Sequence, residues 1–196
     1  LSDAQDFYAD MKARAGRAGR DPDTILVFPG IVPVIAATRQ AAEDRLREMN
    51  DFAVLEHVLA KLSEFLGADL SEVDLDSPLP PTIGDQGDNQ ASQSRVAVLV
   101  GIARRERLTV RRLLMRLASG RGHLLAVDTG KAVADLMQDW FENGAADGFN
   151  VMCPVMPADL QSFAELVLPE LRRRGLIREG RSSATLRGRY RLPHVL

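Results

Sequence analysis

The stretch from His123 to Met152 constrains the fold more tightly than any other part of the chain. His123-Leu124-Leu125-Ala126-Val127 is an apolar run of strand length, and Asp128-Thr129-Gly130 turns the chain. From Ala132 to Glu142, Val133, Leu136, Met137 and Trp140 fall on one helical stripe. Asn143-Gly144 stops that helix, and Gly148 to Met152 is a second apolar run. Strand, short loop, helix, short loop, strand is a βαβ unit, because parallel strands need a crossover of this length between them.

A third apolar run, Ile25 to Ile35, is near-continuous, as in a strand buried on both faces. Pro29 and Pro33 are awkward in a central strand, so the regular strand is expected mainly before Pro29. Around these runs lie helical patterns. Ser2 opens one with Phe7, Tyr8, Met11 and Ala15 at helical spacing, and Thr38 opens another over residues 39–50. Phe52, Leu55, Leu59, Leu62 and Leu66 form an inward stripe that ends at Gly67, and this helix can join the one before it as a single bent helix. Thr109 caps a helix with Leu113, Leu114 and Leu117 inward. Leu160 to Arg174 reads as a last helix, kinked at Pro169, with Phe163, Leu166, Val167 and Leu171 inward. Residues 67–95 are rich in Asp, Pro, Gly, Ser and Gln and read as a long loop excursion outside the core. The tail at 180–196 is Arg-rich.

Three strands that each lead toward a helix define an α/β chain with a parallel sheet. Three cannot close a barrel, and 196 residues fall short of the roughly 250 of a complete eight-fold β/α barrel. The expectation is a single incomplete domain over 1–196, part of a larger α/β unit or the partner of another chain.

Charge and composition remove several function classes. A net charge of -2 argues against a dedicated nucleic-acid binder. Arginine supplies 22 of the 25 basic residues, so the tail reads as a solvated face. His57, His123 and His194 are scattered, and Cys153 is the one cysteine, so neither a metal site nor a disulfide framework is expected. No base stands near Cys153 in sequence to activate it, and a small apolar role is the plainer reading. No P-loop, no G-x-G-x-x-G fingerprint and no nucleophile elbow occurs. No apolar run reaches membrane-spanning length and no signal peptide is evident, so a cytoplasmic location is expected.

Several stretches carry a resemblance. They are Phe7 to Val34, Leu70 to Pro80, Ser92 to Arg95, Gly120 to Met152 and Pro157 to Glu179, with the GAADGFN block at Gly144 to Asn150 the most specific. In this order they resemble the C-terminal part of the nitrilotriacetate/dibenzothiophene-sulfone monooxygenase group, within the bacterial-luciferase-like flavin monooxygenases. The resemblance implies part of a TIM-type (β/α)8 barrel, about strands six to eight with their helices. It makes the run at Ile25 the sixth strand, that at Leu124 the seventh and that at Phe149 the eighth. It also implies reduced FMN supplied by a partner flavin reductase, O2, and a small organic or xenobiotic substrate. Most of the family's flavin contacts belong to earlier strands. A non-catalytic subunit that pairs with another copy or with a complementing N-terminal half is the alternative. Two departures stand out. Asp128-Thr129-Gly130-Lys131 replaces the family's Gly-Thr-Pro-Glu, and the end of the chain after Arg187 does not match.

Such barrels place chemistry at the C-terminal ends of strands. That directs attention to Pro33 and Val34, to Asp128, Thr129 and Gly130, and to Asn150 and Met152 as substrate-pocket or cofactor candidates. Thr129 and Gly130 could offer backbone amides to the flavin phosphate, although a plain helix cap is favoured because Asp128 would repel an anion. Asn150 can bond a ligand or satisfy backbone groups. Arg95 can grip an anionic group or pair locally.

Overall fold

In the computed structural model the described residues are 1–83, 93–120, 122–177, 183–190 and 192, without the side chains of 93–98. The chain divides into two compact units, Leu1–Glu43 with Leu125–Leu196, and Asp44–Leu124.

The first unit carries the sheet. Helix α1 (Ser2–Arg17) leads through a short 3-10 turn (Pro22–Thr24) to β1 (Gly30–Ile35). Helix α2 (Arg39–Asp51) begins in this unit and runs into the other. Beyond the second unit come β2 (Leu124–Asp128), α6 (Gly130–Glu142), β3 (Asn150–Val151), α7 (Ala158–Leu166), α8 (Leu168–Arg173) and α9 (Leu186–Arg189). The sheet order is β2-β1-β3, and β1 pairs parallel with β3 in the register Gly30–Asn150 and Ile31–Val151. Helices α6 and α7 both pack on β1. The centre falls to β1 because it alone is apolar throughout, and Ile31 to Ile35 are all buried.

This order corrects two expectations. A barrel traversed in chain order would set β2 between the others, but β1 holds the middle and β3 is its direct neighbour. The numbering six, seven, eight is therefore not the order of these three strands in the sheet. The regular strand also lies after Pro29 and contains Pro33. Pairing to β3 ends at Ile31, so the missing N–H of Pro33 costs no bond on that side. The stretch before Pro29 stays irregular but anchored, with the Val27 and Pro29 carbonyls accepting the Asp147 and Asn150 amides.

Two helices differ in detail. The final helix is two, broken at Val167 with Pro169 in the first turn of α8. Phe163, Val167 and Leu171 are buried as expected, but Leu166 is 48% exposed. Gly130 explains why Leu166 faces out. A Cβ built on Gly130 would lie 2.6 Å from both the Cβ and the carbonyl oxygen of Leu166, so the start of α6 rests against this stretch of α7. At the other end of α6, Gly144 takes φ 68° as Ala145 donates to the Trp140 carbonyl, the left-handed stop read from Asn143-Gly144.

The second unit is helical, with α3 (Leu55–Leu66), α4 (Gln93–Arg105) and α5 (Val110–Gly120) around a leucine-rich core. Leu62, Leu113 and Leu114 are almost fully buried. Thr109 caps α5 by accepting the Arg112 amide at 3.3 Å. Phe52 departs from its expected inward place. The chain turns at Asn50–Ala53, α3 starts only at Leu55, and Phe52 stands 87% exposed in the break. The 67–95 stretch is more than a loop. Leu70 and Leu79 join the core, Pro78 bridges Thr109, and Ser77 and Leu75 accept the amides of Val110 and Arg111. Residues 84–92 of that stretch lie outside the described residues, and 93–95 already belong to α4.

Candidate functional site

The C-terminal ends of β1 and β2 are tied together, because the Ala36 amide donates to the Asp128 carbonyl at 3.4 Å. A helix starts from each end. Thr38 Oγ1 accepts the Ala41 amide at 3.1 Å at the start of α2, and Thr129 Oγ1 accepts the Ala132 amide at 3.3 Å at the start of α6. The Asp128 carboxylate takes the Thr129 amide at 2.7 Å. Arg39 is held above its ordinary pKa by its bond to Glu43, then by the charges of Glu43 and Asp128.

This geometry gives Thr129 and Gly130 local work. Thr129 is the helix cap, and Gly130 allows α6 to meet Leu166. A phosphate at this helix start would find the Thr129 and Ala132 amides already bonded and a carboxylate alongside. These residues do not fit the flavin phosphate. Pro33 and Val34 are fully buried in β1, as core side chains rather than pocket walls. Asn150 is exposed, and its side-chain amide donates to the Phe28 carbonyl at 3.1 Å. Met152 is half-buried and its amide donates to Ile31 at 2.9 Å, so it lies one residue beyond β3. Arg95 belongs to α4 in the other unit, and its side chain lies outside the described residues. The sheet thus sets Pro33 and Val34 on β1 beside Asn150 on β3, with Met152 just past it.

Just past β3, burial, then the charge of Asp159, pushes the Cys153 thiol upward, away from the thiolate a nucleophile needs. Asp159 is 3% exposed. Its carboxylate accepts the Val155 amide at 2.7 Å, and its own amide donates back to Val155 at 2.9 Å. The turn after β3 is therefore held from the first turn of α7.

One charged cluster was not legible from motif reasoning. Asp147 accepts from Tyr8 at 2.9 Å and from the Val27 amide at 2.8 Å, and pairs with Lys12 at 3.2 Å. Lys12 also donates to the carbonyls of Ile25 at 2.6 Å and Pro22 at 3.2 Å. Burial works against the Lys12 ammonium, but bonds to Asp147 and Tyr8 outweigh it and raise its pKa. Burial and the bond to Asp147 raise Tyr8. The cluster sits at the N-terminal ends of the strands, the face associated with stability rather than chemistry. The signal for it was Asp147 itself, the one charge inside the GAADGFN block.

A parallel strand pair with helices packed over its central strand is the repeating piece of a β/α barrel. No family model matches the chain. Curated proteins do. One of the subunits of pristinamycin IIA synthase from Streptomyces pristinaespiralis is 44% identical over 95% of the chain and 43% of its own length. Nitrilotriacetate monooxygenase component A of Aminobacter aminovorans is 37% identical over 95% of the chain and 41% of its own length. Among solved structures, riboflavin lyase with modified FMN and substrate riboflavin superposes with a TM-score of 0.78 at 29% identity, over 96% of this chain and 40% of that one. The chain is thus similar to a C-terminal part of larger FMN-dependent monooxygenases of the luciferase-like group. It spans about two fifths of the length of the curated relatives it matches. Among the described residues, no helix is long and apolar enough to cross a membrane, and no group of three or more His, Cys, Asp or Glu could hold a metal ion.

Proposed function

We propose that the chain supplies the last part of the barrel of a two-component monooxygenase that uses reduced FMN from a partner reductase to oxygenate a small organic compound. The observation that carries this reading is the 44% and 37% identity to family members over 95% of the chain. When bound, reduced FMN would supply the activation of O2. The residues at the ends of β1 and β2 do not fit its phosphate, so its main contacts are assigned to the part of the barrel that this chain does not match. What the chain contributes is scaffold and one wall of the barrel mouth. Central strand β1 fixes β3, Asp159 fixes the turn after it, and Met152 is the candidate for substrate contact from this side.

The test is a chimera in which this chain replaces the matching part of nitrilotriacetate monooxygenase component A. With a flavin reductase, reduced FMN and a panel of small organic acids, sulfones and alkanes, it should consume O2 and release an oxygenated product. A folded chimera that binds FMN but oxygenates nothing in the panel would refute the reading. A second reading, a non-catalytic subunit that pairs with another chain, is favoured by the sheet's outer members. Strand β3 has only two residues, and Asn150 on it is exposed. It predicts dimers in sedimentation, which a clean monomer would exclude.

A further inference from the structure

Between Arg104 and Arg116 six arginines stand against one carboxylate, Glu106. They occupy the last turn of α4, the connection to α5 and the first two turns of α5. Four of them, Arg104, Arg105, Arg111 and Arg116, have partners. Arg104 donates to the carbonyls of Pro81 and Ile83, Arg111 grips both oxygens of Asp76, and Arg116 pairs with Glu106 at 2.6 Å. Arg107 and Arg112 are exposed, and their side chains make no hydrogen bond or ion pair among the described residues.

The backbone adds a second observation. Leu108 donates to the Ala103 carbonyl at 2.9 Å and Arg107 to that of Arg104 at 3.4 Å, which closes α4 in a Schellman motif. Its left-handed position is Arg107, at φ 49°. Among the described residues every other positive φ belongs to glycine. Glycine fits this position without steric cost, whereas any Cβ is disfavoured there. The chain therefore keeps a guanidinium where the backbone alone would select glycine, in the middle of its densest run of arginine.

We propose that the turn between α4 and α5 is a docking surface for a partner protein that presents a carboxylate-rich patch. Arg107 and Arg112 are exposed on the turn and on α5, as suits a surface contact more than an enclosed small-anion site. A long polyanion is disfavoured by the border of the patch. Asp74 and Asp76 adjoin Arg111, and both carboxyls are held below their ordinary pKa, by Ser77 and by Arg111 respectively, so they stay charged. Alternating charge of this kind suits the mosaic surface of a protein and repels a uniform phosphate backbone.

A fluorescent peptide that repeats Asp-Asp-Lys-Asp, with net negative but mixed charge, is the probe at low ionic strength, with the whole chain as receptor. The expected result is saturable binding that weakens about tenfold as salt is raised past physiological strength. Arg107→Gly should lose affinity about fivefold while its Tm rises, because a charge is lost and left-handed strain is relieved. Arg107→Lys should bind as the parent does, and Arg112→Gln should bind weakly at unchanged Tm. The proposal is overturned by unaltered affinity in Arg107→Gly and Arg112→Gln, by no peptide binding, or by a fall in Tm for Arg107→Gly. Tighter binding of duplex DNA of equal charge would overturn it as well.

Discussion

Replacing Gly130 with alanine sets two effects of opposite sign against each other. In an ordinary helix the change stabilises, by up to about 1 kcal/mol in the interior and less at the first position. Here the new methyl would lie 2.6 Å from the Leu166 carbonyl oxygen and 2.8 Å from its carbonyl carbon. Ordinary contact begins at 3.4 Å, so α6 and α7 must separate by about 0.8 Å at this point. The obstructing atoms include backbone, which no rotamer change can move. Both helices also pack on β1, so separating them loosens a buried contact. Overpacking of this kind typically costs about 1–3 kcal/mol, which exceeds the propensity gain, and a net loss of about 1–2 kcal/mol follows. Trp140, the chain's one tryptophan, lies in α6 and reports on this unit by fluorescence. In urea the Gly130→Ala midpoint should fall by about 0.5–1 M at unchanged slope. An equal or higher midpoint would show that the contact between α6 and Leu166 is not tight, and would refute the explanation given for this glycine.

Asp147→Ala should destabilise the same unit by about 2–3 kcal/mol, since it leaves Lys12 without its carboxylate and removes the acceptor for Tyr8 and the Val27 amide. Trp140 fluorescence in urea measures this, with Asp147→Asn expected to lose less. Leu114→Ala should cost the helical unit about 3 kcal/mol through the cavity it leaves in a fully buried position, read as helix loss by circular dichroism. Arg173, then Arg174, holds the Glu170 carboxyl at about 2 against an ordinary 4.5. A depressed carboxyl contributes stability that is complete above pH 4.5 and lost as pH falls toward about 2. The stability difference between the parent and Glu170→Gln should therefore shrink over that window, and a difference that stays constant would contradict it.

Much of the fold was legible because local pattern and burial agree. Val133 and Met137 on α6, Leu113, Leu114 and Leu117 on α5, and the caps at Thr109 and Thr129 all follow from periodicity and hydroxyl chemistry. What escaped depends on contacts distant in sequence. Pro33 looked incompatible with a central strand, and only the short span of β3 makes it harmless. Leu70 and Leu79 lie in a polar, proline-rich stretch whose composition hides that two of its leucines complete a helical core. Leu166 has inward spacing but is displaced by the contact of its backbone with Gly130. The site was less legible still. Pro33 and Val34 were chosen by position on the strand, and burial makes them core. At Thr129 the favoured cap is what the structure has, with the Ala132 amide on its hydroxyl and its own amide on Asp128.

The proposal of a partial barrel, which leaves the main flavin contacts to the rest of the family fold, rests on how this chain meets reduced FMN. Anaerobic titration of the chain with reduced FMN, followed through Trp140 fluorescence, tests it directly. The account predicts no saturable binding up to about 100 μM for the chain alone, and tight binding once it is joined to the rest of a family barrel. Saturable binding by the chain alone at about 1 μM would contradict it.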